Sequence, residues 1–309
     1  MPTTEAETAR SSHARGLLML LVVVLAWGTC WPVNKALLDH MPPLWSLALR
    51  SVVSAMALFP LAMATSGLKF PTKQDAPVLL SIVLLHMIGF AVLATLALQF
   101  VPAGRSTVLA YTSVLWAPLL AAIFLGEKLS LRRAAGLGLG VLGLMVIFNP
   151  LTFDWSDGRA VFGNAALLLG ALLWGISIVH NRAHRWQATP FQLAPWQALL
   201  AALILVGIAA AAEGVPHIDW SLRAVLLLLF AGIPGTALAY WAVAVASSSL
   251  PAATTSVGLL GTPAVSVIVS MAMLGEQPTV PLIVALVLIL AGVIVGMSGS
   301  GGAPSSNAK

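Results

Sequence analysis

The side chains that could do chemistry in this chain of 309 residues are few, and they stand inside long apolar runs. His86 is flanked on both sides by aliphatic residues. It could hydrogen-bond or titrate in a central pathway, since histidine changes charge near neutral pH. It could equally be a core histidine satisfied by a backbone carbonyl. Arg50 could contact an anion or carboxylate near the mouth of such a pathway, pair with Asp39, or snorkel to the interface. His180 stands near the end of another run. Ionisable groups are costly in hydrocarbon, so each is a functional candidate by default. Cys30 is the single cysteine; it offers neither an intrachain disulfide nor a thiol cluster for a metal, and reads as a small buried hydrophobe.

No Asp or Glu stands in the middle of an apolar run, but Glu127 and Glu276 close two of them. A proton-relay or catalytic pair would have to meet. The duplication described below puts them at opposite faces of a membrane. Each is therefore expected to interact with a helix N-terminus, that of the helix following it.

The aromatic residues form a second group, with ten tryptophans in the chain. Trp155, Trp186 and Trp220 fall near loops and fit an interfacial belt. Trp27, Trp31, Trp116, Trp174 and Trp241, with Tyr111 and Tyr240, lie inside apolar runs, where anchoring does not explain them. Polar residues nearby, among them Asn34, Ser177 and Thr236, point to a partly wetted cavity, helix–helix packing being the alternative. The candidate substrate pathway is thus His86, Trp27, Trp31, Tyr111, Trp116, Trp174, Ser177, Tyr240, Trp241 and Arg50. No catalytic residue, metal or cofactor is assigned. Gly138-Leu-Gly140-Val-Leu-Gly143 matches a dinucleotide-binding pattern, but that motif needs a preceding strand. Inside a spanning helix, Gly136 and Gly140 instead let two helices approach closely.

The elements that must position these residues follow from composition. Charged residues make up 8% and apolar residues 59%, against roughly 25% charged in soluble proteins. That is too little polar surface to cover a water-soluble globule of this size. Basic residues are scattered singly, so the net charge of +5 is no nucleic-acid signal. Ten segments have close to the 20 or so apolar residues of a spanning helix: 16–36, 43–66, 76–99, 102–125, 131–148, 160–182, 190–212, 222–246, 251–274 and 279–298. Pro43, Pro190 and Pro251 mark first turns, and Ser130 and Thr279 are candidate N-caps. With both termini inside, ten Lys/Arg residues fall in cytoplasmic segments and four opposite, which fits the positive-inside rule.

The chain also repeats itself. Pro102-Ala103 to Gly126-Glu127 recurs as Pro251-Ala252 to Gly275-Glu276, offset by 149, and Trp27-Gly28 and Pro43 recur as Trp174-Gly175 and Pro190, offset by 147. Five helices is an odd number, so the second copy enters the membrane from the other side. The expected fold is an all-α polytopic membrane protein of ten transmembrane helices in two inverted five-helix repeats. Transporters built this way bind substrate near the midplane and rock one half against the other. Pro32, Pro60, Pro118, Pro195, Pro234 and Pro263 interrupt the spans and are hinge candidates.

Trp-Gly in the first helix of each half, Pro-Ala leading each fourth helix and Gly-Glu closing it resemble the EamA family of the drug/metabolite transporter superfamily, over roughly residues 16–298. Within it the chain is similar to the YddG-type exporters of aromatic and other amino acids. The resemblance implies a multi-pass protein of the bacterial inner membrane, N-in and C-in, exporting metabolites. The organisation expected is a cytoplasmic tail at 1–15, a first repeat at 16–148, a periplasmic linker at 149–159, a second repeat at 160–298 and a disordered cytoplasmic tail at 299–309. Its partners would be small molecules, amino acids and related metabolites, and the lipid bilayer, with no nucleic acid and a functional monomer. An exporter of drugs or quaternary cations is the alternative, but such proteins use a membrane-embedded Glu, absent here. An intramembrane enzyme would need a nucleophile and base or metal ligands on facing helices. His86 has no acidic partner at its depth. A passive channel fits inverted duplication and hinges less well than alternating access.

Overall fold

The computed structural model describes residues 3–126, 130–149 and 153–297. Among these there is helix and no strand. Ten helical passes follow one another: α1 Thr3–Leu37, α2 Pro43–Thr65, α3 Ala76–Ala97, α4 Ala103–Leu125, α5 Leu131–Ile147, α6 Gly158–Ala183, α7 Pro190–Glu213, α8 Leu222–Ser249, α9 Ala252–Leu259 continuing as Gly261–Leu274, and α10 Val280–Met297. Eight are long and apolar enough to cross a membrane; α5 and the apolar part of α10 have 17 residues or fewer. Large apolar side chains such as Met56, Ile123, Leu203, Ile268 and Val287 stand exposed on the outer surface. Hydrocarbon is the environment that accommodates them. The helix of α1 continues upstream through the polar segment to Thr3. The C-terminal tail, Glu127 and Lys128 lie outside the described residues.

Local chemistry sets the helix ends. Ser130 accepts a hydrogen bond from the Arg133 N–H, Thr279 accepts one from Leu282, and Thr189 and Gln192 form a reciprocal capping box. Pro43 and Pro190 occupy first helical turns, while Pro251 is the residue just before α9. Gly126 and Gly275 end α4 and α9 with φ of 66° and 68°, so the glycine of each Gly-Glu pair supplies a left-handed stop.

Two helices of each half are broken. In the third helices, α3 and α8, the stretches Ile82–Phe90 and Ile233–Leu238 are π-helical. In the fourth helices, α4 and α9, the turn tightens at Thr112 and Leu260, where N–H groups bond back three residues to Leu109 and Val257.

The halves are interlocked rather than merely apposed. The second helices pack on each other (α2 on α7), as do the fifth (α5 on α10) and the fourth (α4 on α9). The first helix of each half lies against the third and fourth of the other: α1 on α8 and α9, α6 on α3 and α4. Glycines set several of these distances. A Cβ on Gly136 would lie 2.3 Å from the Gly292 carbonyl oxygen, and one on Gly140 would lie 2.2 Å from Leu115. The Gly-rich α5 is thus a packing surface, not a nucleotide loop. A Cβ on Gly28 would lie 2.5 Å from Val265 and 3.1 Å from the Thr262 carbonyl; one on Gly175 would lie 3.1 Å from Trp116 and 3.3 Å from the Ser113 carbonyl. Both partner pairs are 149 residues apart, so the two crossings are copies of each other.

Loops are tied across the halves in the same paired manner. Call the side where α1 starts the near face and the other the far face. His40 donates to Asp219 at 2.9 Å on the far face, and His184 donates to Asp75 at 2.9 Å on the near face. His184 follows His40 by 144 residues, and Asp219 follows Asp75 by the same 144. On the far face, Glu276 accepts from the Ala103 and Gly104 N–H groups at 2.7 and 3.1 Å and pairs with Lys35 at 3.4 Å. The glutamate does meet a helix N-terminus, but that of α4 in the other half. Glu213 caps α2 likewise, through the Leu44 and Trp45 N–H groups.

Candidate functional site

A cavity of about 180 Å³ lies between the halves, in the middle of the bundle. A single water needs only about 10–15 Å³, so the space holds a solute as well as water. Seven of the ten residues singled out in the sequence line it: Trp27, Trp31, Arg50, His86, Tyr111, Trp174 and Tyr240. The structure places the other three elsewhere. Trp116 packs with Leu120, Ala121 and Val179 between α4 and α6. Ser177 is buried in α6. Trp241 joins the cluster of α2, α7 and α8 around Leu58 and Ala198.

The wall is aromatic by construction. The His86 ring stacks on Trp174 with centroids 4.9 Å apart and planes 3° from parallel. Phe90, one turn further along α3, lies 5.0 Å from the same indole, and Tyr111 meets it edge-on at 6.3 Å. Trp27 meets Tyr240 edge-on at 6.3 Å, and Trp31 meets Phe90 at 6.3 Å. The Trp-Gly motif therefore has a divided role in each half. Its Trp faces the cavity and an aromatic on the other half's third helix, while its Gly seats the helix on the other half's fourth.

Both π-helical stretches reach this wall, through His86, Met87 and Phe90 on α3 and through Gly235 and Thr236 on α8. Such stretches shift the carbonyl ladder and concentrate at functional sites. Thr236 uses its hydroxyl to hold the Ala231 carbonyl at 2.8 Å.

Among the described residues no Asp or Glu lines the cavity. Arg50 is its one permanently charged side chain, and among the described residues no acidic group pairs with it; the alternative of an Asp39 partner is not realised. The lining polar atoms include unpartnered acceptors: the buried Asn34 Oδ1 and Ser54 Oγ make no hydrogen bond. His86, likewise, makes no hydrogen bond to a described residue, so the backbone-satisfied alternative is not what the structure shows. Phe90 and Ser54 escaped the sequence reading. The signal was spacing, since Phe90 is four residues from His86 and Ser54 four from Arg50, hence near the same helix face.

Depth along the helices shows which way the space points. On the far side the wall reaches Asn34, three residues before α1 ends, and Leu47, four residues after α2 begins. On the near side it stops at Ala198, eight residues into α7, or about 12 Å at 1.5 Å per residue.

Two inverted five-helix units around a central cavity define a membrane transporter fold. The chain matches the EamA-like transporter family over residues 14–149 and 161–297, one match per half, and it belongs to that family. It is similar to the uncharacterized transporter YoaV of Bacillus subtilis, 27% identical over 90% of this chain and 95% of that one. It is similar to a probable amino-acid metabolite efflux pump of Salmonella typhimurium, 28% identical over 93% and 96% of the two chains. A probable terminal-alkyne amino-acid exporter of Streptantibioticus cattleyicolor is 25% identical over 91% and 93%. One protein chain of known crystal structure shares the fold with a TM-score of 0.66 at 20% identity, covering 94% of this chain and 99% of that chain.

Proposed function

We propose that this protein exports amino acids, aromatic and other neutral ones, and related metabolites across the bacterial inner membrane by alternating access through the central cavity. It works as a monomer, and both of its termini lie in the cytoplasm, a placement that the Lys/Arg distribution favours. The far face is then periplasmic, and the arrangement described is outward-facing. The observation that carries the reading is the cavity wall: aromatic faces, one guanidinium and no carboxylate, at the junction of inverted halves. The names borne by the Salmonella and Streptantibioticus relatives agree with it.

Chemistry discriminates against the alternatives. A quaternary cation would need a carboxylate or an uninterrupted aromatic cage, and Arg50 would repel it. A volume of about 180 Å³ is below the roughly 300–1,000 Å³ of pockets for drug-sized ligands. An amino acid fits better than a bulky dye. Among the described residues no group of three metal-ligating side chains exists, and the cavity pairs no nucleophile with a base.

The packing of α1 on α8 and α9, and of α6 on α3 and α4, favours movement of mixed units over a simple tilt of one half on the other. The moving units are mixed: α1 with α8 and α9 against α6 with α3 and α4. The breaks at Thr112 and Leu260 lie within these units. Absence of a cavity carboxylate leaves facilitated diffusion or a step dependent on His86.

The test is purified protein in liposomes with labelled phenylalanine, threonine, lysine and a quaternary dye, with and without a pH gradient. Saturable phenylalanine and threonine flux, with little for lysine and dye, is expected. Dye flux without amino-acid flux would overturn the reading.

A further inference from the structure

Two facing stripes of side chains give the cavity a polar pole distinct from its aromatic box. On α1 the stripe is Cys30 and Asn34, and on α2 it is Arg50 and Ser54, each pair four residues apart. The Cys30 sulfur joins them: the Asn34 amide nitrogen donates to it at 3.5 Å, and the Arg50 guanidinium lies beside it. The cation and the free Asn34 Oδ1 are thus both placed around the Cys30 sulfur. Ser54 is 2% exposed, and its hydroxyl also lacks a partner.

This pole is half of an interaction. A guanidinium at membrane depth is costly unless an anion or acceptor meets it, and among the described residues no carboxylate lines the cavity. Its planar fork matches a carboxylate in a two-bond geometry. An orphaned buried acceptor costs free energy until a donor reaches it. An α-amino acid carries its carboxylate and its ammonium on one carbon, so the two charges can meet Arg50 and Asn34 on the two sides of the Cys30 sulfur. Its side chain would then reach the stack of His86, Trp174 and Phe90.

The geometry points to a zwitterion reader: Arg50 fixes the substrate's α-carboxylate, Asn34 Oδ1 accepts an ammonium proton, and intact α-amino acids are chosen over their decarboxylated or deaminated analogues. This rests on the amino-acid reading above and narrows it. The same pole explains why the cavity needs no acid: the substrate brings its own.

The experiment compares three probes with one side chain, phenylalanine, phenethylamine and 3-phenylpropionate, as competitors of labelled phenylalanine counterflow in liposomes. In the wild type each analogue should compete at least about tenfold more weakly than phenylalanine, the loss of one charge-assisted contact. Arg50→Gln should bring phenylalanine down to the level of phenethylamine, and phenethylamine, freed of the repelling guanidinium, should compete no more weakly than in the wild type. Arg50→Lys should restore part of the difference. Asn34→Val should remove the preference for phenylalanine over 3-phenylpropionate. Counterflow of phenylalanine with equal competition by the analogues in the wild type would sink the zwitterion reader and leave amino-acid export standing. Absence of counterflow with phenylalanine, leucine and threonine alike would sink both. The wild-type comparison decides the matter even where a variant fails to fold.

Discussion

The imidazole of His86 lies flat on the indole of Trp174, centroids 4.9 Å apart. The two residues come from the third helix of one half and the first helix of the other, so the stack closes the cavity wall across the repeat boundary. Stacked aromatic pairs contribute about 0.5–1.5 kcal/mol beyond area burial. His86→Ala is expected to lower transport several-fold while the protein stays folded, read by counterflow and by thermal unfolding in detergent. His86→Phe keeps the stack and removes the ring nitrogens. Wild-type flux in His86→Phe would show that only the flat ring matters, and wild-type flux in His86→Ala would remove the residue from the mechanism.

Glu276 should matter for stability through a contact that sequence position disguises. Its two oxygens hold the first two N–H groups of α4, 172 and 173 residues away, and Lys35 pairs with it while donating to the Val101 carbonyl at 2.8 Å. Removing the carboxylate leaves part-buried donors unmet, at about 1–3 kcal/mol. Glu276→Ala should lower the unfolding temperature, and Glu276→Gln, which keeps one acceptor, should lower it less.

The two Trp-Gly crossings predict unequal tolerance. A methyl group on Gly28 meets the branched Cβ of Val265 at 2.7 Å and a backbone oxygen at 3.1 Å, whereas one on Gly175 meets nothing nearer than 3.1 Å. Overpacking costs about 1–3 kcal/mol. Gly28→Ala should be the more destabilising substitution, and Val265→Ala in the same chain should recover part of the loss. Equal unfolding temperatures for Gly28→Ala and Gly175→Ala would contradict this.

The paired His–Asp ties should differ in their response to acid. Burial alone would raise the Asp75 carboxyl, but hydrogen bonds from His184, the Gln187 N–H and Thr72 outweigh it and hold the group below the usual carboxylate range. A depressed folded value means that the unfolded chain binds the proton more readily. The contribution is thus complete above the ordinary Asp value of about 3.9 and is lost as pH falls through the lower, folded one. Asp219 is lowered too, by His40 and Ser221, but its side chain is 61% exposed. Asp75→Asn should therefore flatten the acid limb of stability clearly, and Asp219→Asn should hardly change it, as followed by unfolding temperature from pH 7 to pH 3.

Much of the fold was legible because a membrane span announces itself by length and apolarity. Dipeptides such as Gly126-Glu127 and Gly275-Glu276 exposed the duplication without structural knowledge. What stayed hidden was helix rotation and partnership. Tyr111 lines the cavity while Trp116, five residues on and past the tightened turn at Thr112, faces α6; no composition rule separates them. Trp241 likewise turns away from the cavity that its neighbour Tyr240 lines. Pro234 marked an interruption in α8, where the π-helical stretch lies, but the matching stretch in α3 contains no proline and left no mark. The glutamate's target was misjudged for a physical reason: inversion brings the far end of α9 beside the start of α4, and sequence proximity to α10 says nothing of that.

Cys30 is both the native thiol and part of the cavity wall, so it reports directly on whether the cavity is the substrate's path. The decisive measurement is its rate of modification by a small membrane-impermeant thiol reagent added from the periplasmic side of oriented vesicles, with and without saturating phenylalanine. The account predicts modification from that side and marked slowing by phenylalanine. Modification at a rate indifferent to any transported amino acid would contradict it.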